Sequence, residues 1–128
     1  GMFTNGEADM VLSYTTSPAY HIAAEKDDTK AAALFDEGHY LQVEVAAKVA
    51  TTKEPDLVDR FLSFMVSPEF QSVIPETNWM YPVIAPPGGL PASFGGLVAP
   101  AKALMMSAHD ANEVREAATE EWRAALSR

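Results

Sequence analysis

Two short aromatic segments contain the residues of this sequence best suited to binding chemistry. Residues 13–20 read Ser-Tyr-Thr-Thr-Ser-Pro-Ala-Tyr, and residues 78–82 read Asn-Trp-Met-Tyr-Pro. Both lie where the apolar pattern breaks off, so their rings are poor candidates for ordinary core filling. Aromatic faces attract positive charge, and nearby hydroxyl groups fix the orientation of a bound molecule. The two segments therefore predict a site for a flat, cationic, partly polar small molecule.

The tyrosines of the first segment allow two interpretations. Tyr14 follows a predicted strand directly, and open α/β sheets bind ligands at such carboxyl ends. Ser17-Pro18 predicts a helix N-terminus beside it, which favours anionic oxygens. Alternatively, Tyr14 and Tyr20 pack at a sheet edge with their hydroxyl groups in water. The pattern alone does not choose between the two.

The tryptophans differ in their surroundings. Trp79 lies in a loop bracketed by Pro75 and Pro82, where a ring either caps the core or is presented rigidly to a ligand. The two prolines favour ligand contact. Trp122 lies on the same apolar stripe of the last predicted helix as Val114, so Trp122 is predicted to lie in the core.

Composition excludes several classes of function. The net charge of −9 argues against nucleic-acid and anionic-membrane surfaces, and the lack of cysteine excludes thiolate chemistry and Cys-ligated metals. The three histidines match no metal-ligand spacing, and no Gly-x-Ser-x-Gly motif is present, so no enzyme, metal or cofactor is predicted. No apolar run reaches the length of a membrane helix, and residues 1–6 lack the basic start and apolar stretch of a signal peptide.

Hydrophobic periodicity predicts alternating strands and helices. Strands are expected at 8–14 and 40–50, the second from the alternation of Leu41, Val43 and Val45 with polar residues. Helices are expected from Ser17 to Glu25 and from Thr29 to Phe35. A long helix is expected from Pro55 to Met65, and a short one begins at Ser67-Pro68 and is stopped by Pro75.

The second half of the chain is less regular. Residues 82–100 contain five prolines and four glycines, which predicts a long irregular connection. A helical turn is expected within 101–107. The last helix is expected to begin at Asp110, with Glu113 completing a capping box. These elements predict an α/β fold with few strands, flanking helices and a C-terminal helix. Two strands are too few for a self-contained sheet, so either residues 76–100 contain further strands that the pattern does not reveal or the chain is part of a larger protein.

Longer stretches around the aromatic segments resemble a known family. The stretches are 6–21, 37–45 (Glu-Gly-His-Tyr-Leu-Gln-Val-Glu-Val), 64–68 with Gln71, 74–75 and 78–82, and Glu121-Trp122 with Ser127-Arg128 near the end. They are similar to the C-terminal portion of periplasmic thiamine-binding proteins, the solute receptors of thiamine ABC transporters. Residues 82–100 match least.

The resemblance implies a fold, a ligand and a site. It implies that residues 1–128 form a single domain, a C-terminal fragment of a two-lobed type II periplasmic binding protein. The implied ligand is thiamine or a thiamine phosphate, carried as cargo and passed to a membrane permease in the periplasm. In such receptors the positions of Tyr14, Tyr20 and Trp79 surround the thiamine rings, and Ser13 and Thr15 are lesser candidates for polar contacts.

Two other functions remain open at this point. One is a non-binding structural remnant, stable as an oligomer such as a homodimer. The other is capture of ferric ion or another solute by Tyr14 and Tyr20, as in related receptors. Those receptors use adjacent tyrosines, whereas these two are six residues apart, so this alternative ranks last.

Overall fold

The computed structural model describes residues 1–127, and Arg128, where the family resemblance ends, lies outside them. Helices predominate. In chain order the helical elements are α1 (Ser17–Tyr20), a π-helical turn (His21–Glu25), α2 (Pro55–Met65), α3 (Pro68–Gln71), α4 (Ile74–Thr77), a 3₁₀ helix (Ala92–Phe94) and α5 (Ala108–Leu126). Strands β1 (His39–Tyr40) and β2 (Ala103–Leu104) form a two-stranded parallel sheet. None of the helices within 1–127 has both the length and the apolar character needed to cross a bilayer.

The described chain divides into two compact units. Unit 1 contains Gly1–Leu34 and Glu44–Ala99, and unit 2 contains Phe35–Val43 with the chain from Pro100 onward. Each unit is described separately below.

The core of unit 1 is small and lies beneath α1. Ala19 of α1 has no exposed surface, and Phe94 of the 3₁₀ helix is 5% exposed. The two elements pack together, and the Phe94 ring meets the Tyr81 ring edge-on at 5.5 Å between centroids. Pro75 is the largest fully buried side chain. These contacts fix α1 and the loop after α4 in one framework.

Several predicted helices are confirmed in unit 1. The helix over 17–25 exists as α1 and the π-helical turn, although Thr16 rather than Ser17 precedes it. The helix from Pro55 to Met65 has the predicted bounds. Ser67 caps α3 by accepting a hydrogen bond from the Phe70 amide.

Other predicted elements of unit 1 are wrong. Residues 8–14 form no strand, because no neighbouring strand in the described chain offers them hydrogen bonds, and Leu12 is 87% exposed. Residues 29–35 form no helix; the Thr29 amide and hydroxyl instead bond to the Asp27 carboxylate. Pro75 does not stop a helix but lies in the first turn of α4, where a missing amide proton costs nothing.

Unit 2 departs further from prediction. The strand expected over 40–50 is reduced to β1, and β2 replaces the helical turn expected within 101–107. Helix α5 begins at Ala108, because the Ser107 hydroxyl accepts a bond from the Asp110 amide and makes Ser107 the cap. Trp122 is 56% exposed, so its predicted core position is wrong in this chain. No side chain of α5 is buried, so the apolar stripe of this helix finds no core to join.

A glycine permits the close approach of β1 to the segment before β2. Gly38 has φ +111°, and a Cβ built there would lie 2.8 Å from the Lys102 carbonyl oxygen. We expect Gly38→Ala to destabilise unit 2 by about 1–3 kcal/mol, since it adds both strain and overlap. Hydrogen exchange should show faster exchange of the His39 amide, which donates to that carbonyl at 3.0 Å. Gly96→Ala is the matched control, because a Cβ there meets nothing within 4 Å; equal protection in both variants would contradict the expectation.

Candidate ligand-binding site

Helix α1 positions the first aromatic residue of the site. Pro18 occupies the first turn, where its fixed φ suits a helix, and Ala19 anchors the helix to the core. The next residue, Tyr20, is 39% exposed. Its ring meets the Trp79 indole edge-on, with 5.4 Å between centroids and 77° between planes. Residues 59 positions apart in the sequence thus form one aromatic corner.

The backbone at Trp79 is unusual. Its φ of +55° lies in the left-handed region, which bulky side chains rarely enter. Such a conformation costs on the order of 1 kcal/mol and persists only where surrounding contacts enforce it. Trp79 follows α4, whose terminal turn ends at Asn78. The turn out of α4 therefore directs the indole towards Tyr20.

A cavity of about 310 Å³ lies against this aromatic corner within unit 1. The side chains around it come from three separate stretches of the chain. They are Ser13, Tyr14, Thr16, Ser17, Tyr20, His21, Glu44, Asn78, Trp79 and Met80. Its size is at the lower end of the range of about 300–1,000 Å³ seen for small-molecule sites. Tyr14 and Tyr20 remain partly exposed, so the cavity is open to solvent on at least one side.

Polar groups line the same cavity. The Asn78 amide nitrogen donates to the Glu44 carboxylate at 2.9 Å. The Ser13 and Ser17 hydroxyl groups are hydrogen-bonded to each other at 2.6 Å. The His21 ring meets the Tyr20 ring edge-on, with 5.4 Å between the ring centroids. The arrangement combines aromatic faces, hydroxyl groups and one oriented carboxylate, which suits a flat cation with polar substituents.

The structure brings most of the sequence-predicted site residues together. Ser13, Tyr14, Tyr20 and Trp79 line one cavity, and Thr15 lies outside its lining. Sequence reasoning missed Glu44 as a site residue. In the sequence, Glu44 is marked only as a polar position in the alternating stretch 40–45. No rule of sequence spacing predicts that it lies beside residue 78.

Gln71 fixes the loop that carries the tryptophan. This side chain is 7% exposed. Its amide nitrogen donates to the Met65 carbonyl at 2.7 Å, and its amide oxygen accepts from the Val83 amide at 2.8 Å. One buried side chain thereby joins the end of α2 to the chain just after the second aromatic segment.

We expect Gln71→Ala to lower the free energy of unfolding by about 1–2 kcal/mol, because two partly buried hydrogen bonds from its side chain to the backbone are lost. Urea denaturation followed by circular dichroism measures the change. Gln42→Ala, at an exposed glutamine, should change it by less than about 0.5 kcal/mol. Equal stability of the two variants would contradict the bridging role.

A second cavity in unit 1 has a different character. It measures about 410 Å³ and is lined by Phe3, Ala8, Asp9, Thr29, Lys30 and Ala31. Beside it, the Lys30 ammonium and the Thr29 hydroxyl bond to Asp27 and hold the pKa of that carboxyl well below its usual range. Phe3 supplies its only aromatic ring. It lacks the paired aromatic faces of the first cavity.

One group of side chains in unit 2 has the composition of metal ligands. Ligand atoms of His109, Asp110 and Glu113 lie within 4.8 Å of one another, and all three residues are exposed. They occupy the first turns of α5, where the helix dipole opposes a bound cation. His109 Nε2 and Glu113 Oε1 are 3.7 Å apart. This exposed group gives no ground for assigning a metal.

Comparison with known proteins identifies the relatives of this fold. No family model matches the chain. The whole chain is 56% identical to the thiamine-binding periplasmic protein of Escherichia coli and 55% identical to that of Salmonella typhimurium, and it spans 38% of each relative. The Brucella abortus protein of the same name is 48% identical over the same span.

A solved structure agrees with these relatives. The whole chain superposes on 40% of a periplasmic thiamin binding protein with a TM-score of 0.88 and 55% identity. The relatives are periplasmic by name, which supports the predicted location. In sequence and in fold, the whole chain corresponds to a portion of the periplasmic thiamine-binding proteins, and the resemblance is confirmed.

Proposed function

We propose that this chain is the portion of a thiamine receptor that supplies one wall of the binding site. The observation that carries the proposal is the cavity that Tyr14, Tyr20 and Trp79 line, where the Tyr20 and Trp79 rings meet edge-on. Thiamine contains a flat thiazolium cation and an aminopyrimidine ring. Aromatic faces attract such a cation by about 0.5–2 kcal/mol each.

The wider role is inferred from the names of the relatives. The chain is proposed to belong to a type II periplasmic binding protein, whose two lobes close on thiamine or a thiamine phosphate and deliver it to an ABC transporter permease. It acts by binding and performs no catalysis. Because it spans 38% of the relatives, a complete receptor would enclose the ligand further. We therefore expect the chain alone to bind weakly.

Isothermal titration calorimetry of the full chain with thiamine tests the proposal. The aminopyrimidine half of thiamine, which carries no fixed cation, serves as the control ligand. Thiamine should bind several-fold more tightly than this neutral half. Absence of measurable binding to thiamine, or equal affinity for both, would contradict an aromatic site that selects a cation.

Glu44 is expected to contribute electrostatically to this selectivity. Its carboxylate is oriented by Asn78 at the cavity, and opposite charges in a largely solvated site attract by on the order of 1 kcal/mol. Glu44→Gln should weaken thiamine binding about three- to tenfold and should reduce the dependence of affinity on salt. Glu76→Gln, at an exposed carboxylate on α4 that is not among the lining residues, is the control. The same loss in both variants would assign the effect to net charge alone.

A further inference from the structure

A histidine lies at the aromatic cavity of unit 1. The chain contains three histidines. Within residues 1–127, His21 alone of them lines this cavity, whereas His39 lies in β1 and His109 in α5. The His21 side chain is 21% exposed, and its ring meets the Tyr20 ring edge-on. An imidazole therefore forms part of the aromatic corner.

A hydrogen bond fixes which nitrogen of the neutral His21 ring carries the proton. His21 Nδ1 lies 2.7 Å from Glu25 Oε2. An ionised carboxylate can only accept a hydrogen bond, so Nδ1 donates and Nε2 of the neutral ring carries no proton. Protonation of the ring adds a proton at Nε2 and a positive charge, while the bond from Nδ1 to Glu25 persists. The ring thus gains charge without losing its partner.

The charged groups near His21 lie on its own turn and on one other segment of the cavity. Glu25 accepts from the imidazole, and Lys26 follows it with its ammonium on a backbone carbonyl of the same turn at 2.7 Å. The Glu44 carboxylate lines the cavity from a separate segment. The 3₁₀ helix that packs on α1 contains no titratable side chain, and neither do residues 78–80. The fixed charges that line this cavity or pair with its imidazole are therefore carboxylates.

Histidine is the side-chain type at this cavity that changes its charge near neutral pH. Carboxyl groups ordinarily titrate at about pH 4, and phenols and amines at about pH 10, whereas imidazole titrates between about pH 5 and 8. The phenols of the cavity belong to Tyr14 and Tyr20. Between about pH 6 and 8, the charge of the cavity therefore follows the protonation of His21.

We propose that His21 makes the affinity of this site for thiamine depend on pH. The inference rests on the proposed function, because it concerns a cation bound at the same cavity. When the ring is neutral, the Glu25 and Glu44 carboxylates both attract the thiazolium, whereas the protonated ring offsets one of them. One added charge in a largely solvated site changes the affinity for a cation by about three- to tenfold. Thiamine binding should therefore be tightest at about pH 8 and should weaken as the pH falls.

Calorimetric titration of the full chain with thiamine tests the inference. Thiamine should bind about two- to fivefold more weakly at about pH 6 than at about pH 8, since a histidine is only partly protonated at the lower pH. His21→Gln keeps a polar side chain that cannot gain charge, and it should remove most of this difference. His109→Gln makes the same change at a side chain on α5 that is 80% exposed, and it should preserve the difference. The same pH dependence in His21→Gln as in the original chain would overturn the inference.

Proton NMR of the histidine rings tests the same coupling without a variant. Linkage is reciprocal, so bound thiamine should move the titration of the His21 ring protons to lower pH and leave the titrations of His39 and His109 in place. An unmoved His21 titration in a chain that binds thiamine would overturn the inference and leave the proposed function standing. Absence of thiamine binding at both pH values would overturn both, so the two failures are distinguishable.

Discussion

Trp79→Ala should bind thiamine about tenfold or more weakly than the original chain does, a loss of about 1.4 kcal/mol in binding free energy. The substitution removes the largest ring of the cavity and its edge contact with Tyr20, and with them the face available to the thiazolium. Trp79→Phe retains an aromatic face and should recover part of the affinity. Calorimetric titration of each variant measures the change.

The control for this variant is the other tryptophan. Trp122→Phe changes an exposed ring on α5 and should leave the affinity unaltered. It also leaves Trp79 as the sole tryptophan, so that fluorescence reports on the cavity directly. If Trp79→Ala and the original chain bound thiamine with equal affinity, the indole would not contribute to binding, which would contradict the proposed site.

Phe94→Ala should cause the largest loss of stability, about 3–5 kcal/mol. Phe94 is nearly fully buried, packs its element on α1 and contacts the Tyr81 ring. Domains of this kind are stable by about 5–15 kcal/mol in total, so much of unit 1 should unfold at moderate urea. Because α1 carries Tyr20, thiamine binding should also fall.

Phe61→Ala is the control, since that ring on α2 is 54% exposed. It should shift the urea midpoint much less. A shift as large as that of Phe94→Ala would mean that the core of unit 1 is not where the burial indicates.

Local sequence signals predicted some helices, although the helix expected over 29–35 and the helical turn expected within 101–107 are wrong. Proline in a first turn and a regular apolar stripe define α2, and a serine hydroxyl defines the start of α3. Such features depend on neighbours within one turn, so they can be read from the sequence. The same reasoning failed at Pro75, because a proline can either follow the end of one helix or occupy the first turn of the next, and here it lies in the first turn of α4.

Strands were harder to predict because a strand requires a partner. Residues 8–14 and 40–50 have the apolar patterns of strands, yet the described chain offers no neighbouring ladder to 8–14 or to 42–50. An apolar pattern of this kind indicates that a segment can form a strand, but it does not show whether a neighbouring strand is present to pair with it. The exposure of Trp122 has the same origin, since the stripe of α5 was predicted correctly as apolar but finds no surface to cover.

The site was partly predictable. Tyr14, Tyr20 and Trp79 stood out because aromatic rings broke the apolar pattern, and these residues do line one cavity. Glu44 could not be found in this way, because its place at the cavity depends on the fold and on a hydrogen bond to Asn78, 34 residues later. Distant polar pairs leave no periodic signature.

Intermolecular nuclear Overhauser effects between thiamine and the chain test the central claim most directly. The thiazolium protons should show contacts with ring protons of Trp79 and of Tyr14 or Tyr20, and the Trp79→Ala chain should lose the indole contacts. Contacts that map instead to Phe3, beside the second cavity, or no contacts with any aromatic ring of the first cavity, would contradict the account.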